Sequence, residues 1–185
     1  MNPLDLIDRY YAAQPPLRSL LIQHSQQVAD YALALCRAHP EWHADSDFIR
    51  EAAMLHDIGI FFCNAPKIFC YGSEPYIRHG YLGGQLLREQ GLPRHARVAE
   101  RHTGSGLTVQ QIITQNIPLP VQDWIPETIE EKVICYADKF FSKSKPKQMA
   151  SPEDIRRQMQ RFGDQALENW LRLEQEITRK ETSQL

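Results

Sequence analysis

The sequence predicts an all-α fold, built as a single helical bundle. Apolar residues recur at steps of three and four along most of the 185 residues, which is the period of an amphipathic helix. Runs that alternate β-branched and polar residues, as half-buried strands do, are nearly absent. With 42% hydrophobic and 24% charged residues, the chain can form one well-packed core.

The longest predicted helix covers residues 17–38. Pro15 and Pro16 precede it and Pro40 follows it, and prolines are typical of such boundaries. Its buried stripe is formed by residues at helical steps: Leu17, Leu20, Leu21, His24, Val28, Tyr31 and Leu35.

The same period, with caps and breakers, predicts the elements that follow. A helix over about 45–56 would be capped by Asp45 or Ser46. Residues 57–75 contain two glycines and two prolines, which predicts a long irregular loop of the kind that often carries function. Further helices are predicted over 76–90, 94–102, 108–115 and 127–142, with a proline-bearing loop over 116–126.

The C-terminal part predicts two more helices. Ser151 and Pro152 are a good cap and first residue for a helix over 152–162, and another is predicted over 165–181. We expect residues 1–150 to form the main domain. Residues 151–185 would be C-terminal helices that pack on the same domain.

Charge and hydropathy limit the partners. The formal net charge is −2: residues 1–138 carry 11 Lys/Arg and 16 Asp/Glu, and residues 139–185 carry 10 and 7. A stable nucleic acid complex is not expected from this balance, whereas a small phosphorylated substrate, nucleotide-like in character, needs only a local cationic cluster. No apolar run approaches a membrane span of about 18 residues, and the first residues lack the pattern of a secretory signal. We therefore expect a cytoplasmic protein with no membrane partner.

The segment that indicates chemistry is Ala-Met-Leu-His-Asp-Ile-Gly, residues 53–59. It places His56 and Asp57 at the end of an apolar helix, where burying a carboxylate costs several kcal/mol unless a cation compensates it. Gly59 is expected to relieve the backbone where the helix stops. His24 lies on the buried stripe of the first long helix, and Asp138 lies one step from the buried face of the 127–142 helix. Two imidazoles and two carboxylates suit Mn, Fe, Ni, Zn or Mg and do not choose between them.

These residues resemble the H…HD…D signature of HD-domain phosphohydrolases. His24, then His-Asp-Ile-Gly at 56–59, then Asp138 in Ile-Cys-Tyr-Ala-Asp-Lys match it over about residues 17–142. The resemblance implies an HD-domain-like bundle with the metal site in its core, so that residues 1–150 would be an HD-type metal-dependent hydrolase domain. It implies that His24, His56, Asp57 and Asp138 hold one divalent ion.

The same resemblance implies a second ion. Members with two metals have two further histidines between the HD pair and the last Asp, and here these are His79 and His102, with Asp57 as the bridging ligand. A metal-bound hydroxide would then attack phosphorus, with Asp57 and His56 as the catalytic pair and one or two divalent ions as cofactors.

Five cations close to these ligands in the chain are expected to bind substrate phosphate: Arg18, Lys67, Arg78, Arg101 and Lys139. Each has the alternative of being an ordinary solvated charge. Lys139, Lys143, Lys145 and Lys147 together are interpreted as a soluble edge.

Three functions remain open. The first is hydrolysis of a phosphomonoester or nucleotide. The second is a diiron oxygenase of the HD type, and the third is a non-catalytic, metal-stabilised interaction module. Cyclic dinucleotides are not expected as substrates. The HD-domain phosphodiesterases that cleave them, the HD-GYP type, have Lys and Pro where this sequence has Ile60 and Leu82. The general acid, the native metal, the number of ions and the oligomeric state stay open.

Overall fold

The computed structural model describes residues 1–179, except for the side chains of residues 145–147. Within that range it confirms the all-α prediction. Its helices are α1 (Pro3–Tyr11), α2 (Pro15–Ala38), α3 (Ser46–Leu55), α4 (His79–Glu89), α5 (Pro93–Arg101), α6 (Val109–Thr114), α7 (Ile129–Asp138), α8 (Pro152–Arg161) and α9 (Asp164–Thr178). Among the described residues, no helix combines the length and apolar character that a membrane span requires.

Helix α2 lies at the centre of the bundle, with α3 and α7 packed against it. Asp45 caps α3 by accepting a hydrogen bond from the Phe48 backbone N–H at 3.0 Å. Thr128 and Glu131 form a capping box at the start of α7. Among the described residues there are two large hydrophobic cores and one small one, and His24 lies between the two large cores along α2: Leu17 and Leu21 belong to one, and Val28 and Ala32 to the other.

The N-terminal helix α1 was not predicted from the sequence. Pro3 is its first residue, and the Asn2 side chain caps it by accepting from the Leu4 backbone N–H. Its last residue, Tyr11, is fully buried and donates a hydrogen bond to the Ile58 carbonyl at 2.6 Å. Helix α1 therefore fixes the chain immediately after the His56-Asp57 pair.

Two small antiparallel hairpins in the described part of the chain were not predicted from the sequence. Strand β1 (Asn64–Ala65) pairs with β2 (Cys70–Tyr71) inside the predicted loop 57–75, and β3 (Phe141–Ser142) pairs with β4 (Lys145–Met149). Strands β1, β2 and β3 have two residues each, too few to show a period-2 pattern, and the five residues of β4 include no β-branched or aromatic residue. The predicted helix 127–142 was too long, since α7 ends at Asp138.

The C-terminal helices α8 and α9 pack against the core that contains α2, α3 and α7. Ile155, Met159 and Trp170 belong to that buried cluster. The Trp170 ring stacks on the Tyr136 ring of α7, with 5.1 Å between centroids and 3° between planes. Residues 180–181 of the predicted last helix, and 180–185 of the C-terminal segment, lie outside the described residues.

Candidate metal centre

Four buried side chains meet at the junction of the two cores. His24 comes from α2, His56 and Asp57 directly follow α3, and Asp138 ends α7. His24 Nε2 lies 2.9 Å from Asp138 Oδ1 and 3.2 Å from Asp57 Oδ2. His56 Nε2 lies 3.2 Å from the same oxygen of Asp57 and 3.4 Å from Asp138 Oδ1. Atoms that bind one ion at about 2.0–2.2 Å are roughly 2.9–3.5 Å apart, so these four could hold a single metal ion.

A second group uses the other oxygen of Asp57. Asp57 Oδ1 lies 3.3 Å from His79 Nε2 and 3.4 Å from His102 Nε2, and the two imidazole nitrogens are 3.0 Å apart. These three buried residues could hold a second ion. Asp57 thus offers one carboxylate oxygen to each group, which is the arrangement of a bridging ligand.

Backbone carbonyls orient three of the imidazoles. The Nδ1 atoms of His56, His79 and His102 lie 2.6–2.7 Å from the carbonyl oxygens of the residues three positions earlier, Ala53, Tyr76 and Ala99. A carbonyl only accepts, so each Nδ1 carries a proton and donates it, and Nε2 is the ring nitrogen that faces the site. The Nε2 atoms of His79 and His102 are 3.0 Å apart, and their lone pairs repel each other unless a cation lies between them.

Unpartnered buried atoms support the same conclusion. Within residues 1–179, neither Asp57 Oδ1 nor His56 Nε2 has a hydrogen-bond partner, whereas Asp57 Oδ2 lies 2.5 Å from the Lys143 ammonium. Leaving such atoms buried and unsatisfied costs about 1–3 kcal/mol each, and more when they are charged. Divalent cations, one in each ligand group, would satisfy both atoms, so the residues present fit metal ions.

The charge states also suit metal binding. Burial would raise the pKa of Asp57, but Lys143 and His56 hold it well below its usual value. Burial lowers the pKa of His79 to about 3 and also lowers the pKa of His102, so both are neutral ligands at physiological pH. His56 differs: burial opposes its charge, yet Asp57 and Asp138 raise its pKa to about 9.

Gly59 brings α4 close to the site, which is not the role expected from the sequence. Its φ is −86°, a value that any residue adopts, so relief of the backbone at the helix end is not the reason for a glycine. A Cβ on Gly59 would lie 2.2 Å from the His79 carbonyl oxygen and 2.4 Å from the Gly83 nitrogen. Glycine is therefore required because α4, which begins with His79, packs directly on the backbone here.

A cavity of about 600 Å³ opens next to these ligands. His79, His102 and Asp138 form part of its wall, and the predicted phosphate-binding residues Lys67 and Lys139 line it. Lys139 Nζ lies 2.5 Å from Asp138 Oδ2, the carboxylate oxygen that does not face the imidazoles. The other lining residues include the 103–107 loop and residues of α6 and α8.

The structure does not bring the three arginines of the predicted phosphate-binding set to this cavity. Arg18 Nε pairs with Asp8 at 2.6 Å on the surface, and Arg78 pairs with Glu74. Arg101 Nε donates to the Ile125 carbonyl at 3.0 Å. None of the three belongs to the described lining of the cavity. The closeness of these arginines to the ligands in the sequence therefore did not determine where their long side chains point.

Lys143 is a site residue that the sequence reasoning missed. The sequence predicts it on a soluble edge, but its side chain is only 13% exposed and its Nζ lies 2.5 Å from Asp57 Oδ2. It lies in the turn between β3 and β4, and it lines the cavity. No sequence pattern indicated this hairpin. The side chains of Lys145 and Lys147, from the same predicted edge, lie outside the described part of the chain.

Comparisons with known proteins agree with this geometry. A family model described as "HD domain" matches residues 21–142. An uncharacterized protein of Methanocaldococcus jannaschii is 34% identical over 123 residues, which are 65% of this chain and 65% of that protein. A tRNA (cytidine(56)-2'-O)-methyltransferase of Picrophilus torridus is 34% identical over 124 residues, which are 66% of this chain and 32% of the enzyme.

The methyltransferase of the same name from Thermoplasma volcanium is 30% identical over 143 residues, 77% of this chain and 36% of the enzyme. The chain therefore spans about a third of each methyltransferase and just under two thirds of the Methanocaldococcus protein. No solved structure shows a significant match. The family model covers most of the chain and includes every member of both ligand groups, so the chain belongs to the HD domain family, in the superfamily of metal-dependent phosphohydrolases.

Proposed function

We propose that this protein hydrolyses a phosphomonoester or a nucleotide at a centre of two divalent ions, with an activated water as the nucleophile. The observation that carries the proposal is the position of Asp57, whose two carboxylate oxygens face two different groups of ligand atoms. Ions bound to these groups would supply Lewis acidity toward the phosphoryl oxygens and lower the pKa of a bound water. Fe, Mn, Ni, Zn and Mg are all compatible with this donor set.

The chain's own residues would hold and orient the substrate. Lys67 and Lys139 line the cavity beside the ligands, where an ammonium group can bind a phosphoryl oxygen. Asp138 keeps Lys139 in place through the carboxylate oxygen that the imidazoles do not use. His56 and Asp57 are the proposed catalytic pair, since both are ligands and Asp57 is shared.

The cavity favours catalysis over the third hypothesis, a metal-stabilised interaction module. A purely structural metal site is expected to be closed, with no space beside the ligands. Here about 600 Å³ adjoins them, and lysines lie on its wall. A diiron oxygenase would use the same ligands, and the lysines are the observation that favours a phosphorylated substrate instead.

The names of two relatives suggest a second class of substrate. Both are tRNA methyltransferases, and about a third of each matches this chain. We therefore include a terminal phosphate of a short RNA among the substrates to be tested. The small net charge of −2 still favours a nucleotide over a stable complex with a long nucleic acid.

The test is phosphate release by the full chain reconstituted with Mn²⁺, Fe²⁺, Ni²⁺, Zn²⁺ or Mg²⁺. The panel contains phosphomonoesters, nucleotides and a 3'-phosphorylated oligoribonucleotide. Asp138→Asn should lower kcat/KM by at least about 100-fold, because it removes the charge of a ligand. Asp30→Asn is the matched control, since Asp30 lies on the exposed face of α2 and bonds only to Gln26 among the described residues.

Two outcomes would contradict the proposal. Oxygen consumption by the iron-loaded protein without phosphate release from any compound would favour the oxygenase. Absence of both activities, with metal removal lowering the melting temperature, would favour the interaction module.

A further inference from the structure

The cation Lys143 reaches the centre from a hairpin that the family signature does not include. Its side chain is mostly buried, and its Nζ lies 2.5 Å from Asp57 Oδ2. That oxygen is the one that faces His24 Nε2 and His56 Nε2, each at 3.2 Å. Lys143 therefore contacts an oxygen that the first group of ligands would use for metal.

Comparison with Lys139 shows that this contact is unusual. Lys139 also pairs with a ligand carboxylate at 2.5 Å, but it uses Asp138 Oδ2 and leaves Oδ1 facing the imidazoles. Lys139 can keep its contact while Asp138 binds an ion. Lys143 cannot do the same without strong repulsion, because an ammonium and a divalent ion on one oxygen would lie only about 4 Å apart.

The surroundings of Lys143 define where its ammonium can go. The residue lies in a turn that lines the cavity, beside Phe141, Ser142 and Ser144. The phenol of Tyr76, another lining residue, is close enough to interact with it. A lysine is a point charge on a flexible four-carbon stem, so small rotations move the ammonium from Asp57 into the adjoining space. A phosphoryl group bound to ions that Asp57 holds would be within reach of the ammonium there.

We propose that Lys143 competes with a divalent ion for Asp57 and, once displaced, binds a phosphoryl oxygen of the substrate. The second half of this proposal rests on the phosphohydrolase function proposed above. The first half concerns metal affinity alone and holds for any activity. Binding of a metal ion at Asp57 would thus release Lys143, and the released ammonium would recognise the substrate.

The test uses Lys143→Met in the full chain, because Met has a similar length and no charge. Isothermal titration with Mn²⁺ should show at least about threefold tighter binding than in the wild type, since a competing cation is gone. Inorganic phosphate should bind to metal-loaded Lys143→Met at least about tenfold more weakly than to the metal-loaded wild type, since a charged hydrogen bond is lost. Lys132→Met is the control: Lys132 pairs with Glu176 at 2.7 Å outside the cavity lining, and both affinities should stay within about twofold of the wild type.

A second experiment uses the wild-type chain and does not depend on how the variant folds. Brief labelling with acetic anhydride, read by peptide mass spectrometry, should modify Lys143 slowly in chelator-treated protein, faster after Mn²⁺ is added, and slowly again when phosphate is present. Equal labelling with and without Mn²⁺, or unchanged Mn²⁺ affinity in Lys143→Met, overturns the competition. Unchanged phosphate affinity overturns the substrate contact. If both readouts behave as expected but no compound is hydrolysed, the proposed function fails and the competition between Lys143 and the metal ion stands.

Discussion

The close approach of α4 to Gly59 gives the sharpest test of how the centre is held together. Replacing Gly59 by Ala adds a single methyl group. That carbon would lie 2.2 Å from the His79 carbonyl oxygen, 2.4 Å from the Gly83 nitrogen and 2.8 Å from the Gly83 Cα. All three neighbours are backbone atoms, so no side-chain rotation can relieve the contact.

The expected magnitude follows from these distances. Non-bonded carbon atoms prefer a separation of about 3.5–4.0 Å, so α4 must move away by at least about 1 Å. Overpacking of this kind costs about 3 kcal/mol in the free energy of unfolding, at the upper end of its usual range, because two backbone segments must separate. A domain with a stability of about 5–15 kcal/mol would still fold.

The shift should also affect metal binding selectively. His79 is the first residue of α4, and a metal site tolerates ligand displacements of only about 0.2 Å. We therefore expect the group formed by Asp57, His79 and His102 to lose most of its affinity. The group that contains His24 and Asp138 should keep its ion, because its ligands lie on α2, on α7 and directly after α3, and none lies on α4.

The assays are urea unfolding followed by circular dichroism, and metal content by elemental analysis after equilibration. Gly91→Ala is the control, since Gly91 has φ +74° and nothing within 4 Å of an added Cβ. It should cost about 1 kcal/mol through backbone strain and leave metal content unchanged. If Gly59→Ala unfolds within about 0.5 kcal/mol of the wild type and binds as much metal, the close packing of α4 on this glycine is wrong.

Three further predictions concern the ligands and the helix caps. Asp57→Asn keeps the shape of the bridging residue but removes its charge. Metal content should therefore fall and phosphate release should drop by at least about 100-fold, while the helical circular dichroism signal is retained. Full activity in this variant would exclude Asp57 as a ligand. Because burial is outweighed by Asp57 and Asp138, which raise the pKa of His56 to about 9, the imidazole holds a proton at neutral pH that must leave before metal binds. The apparent Mn²⁺ affinity should therefore rise with pH between about 7 and 9, by at most about tenfold per unit, and a calorimetric titration that shows no such rise counts against this charge state. Asp45→Ala should lower the free energy of unfolding by about 1 kcal/mol in urea titrations, because the cap of α3 is lost. The control is Asp47→Ala, since the Asp47 side chain is 94% exposed. An equal loss of stability in the control would show that capping is not the cause.

Much of the bundle could be predicted because its helices are long or strongly marked. Helix α2 shows its stripe over several turns, and the caps at Asp45 and Ser151 start α3 and α8 within a residue or two of the predicted positions. Helix α1 and the two hairpins escaped prediction for a physical reason. They are short, and what holds them is contact with distant residues, such as the hydrogen bond from Tyr11 to Ile58.

The sequence by itself determined the fold class and a set of candidate ligand residues. His24, His56, Asp57 and Asp138 were recognisable because polar side chains on buried helix faces are costly without a compensating cation. The tertiary structure decided which atoms meet: one oxygen of Asp57 for each group, Lys139 on the outer oxygen of Asp138, and Lys143 on Asp57. It also kept Arg18 and Arg101 away from the cavity. These distances depend on how helices and a hairpin from separate parts of the chain pack together, and local periodicity carries no information about that packing.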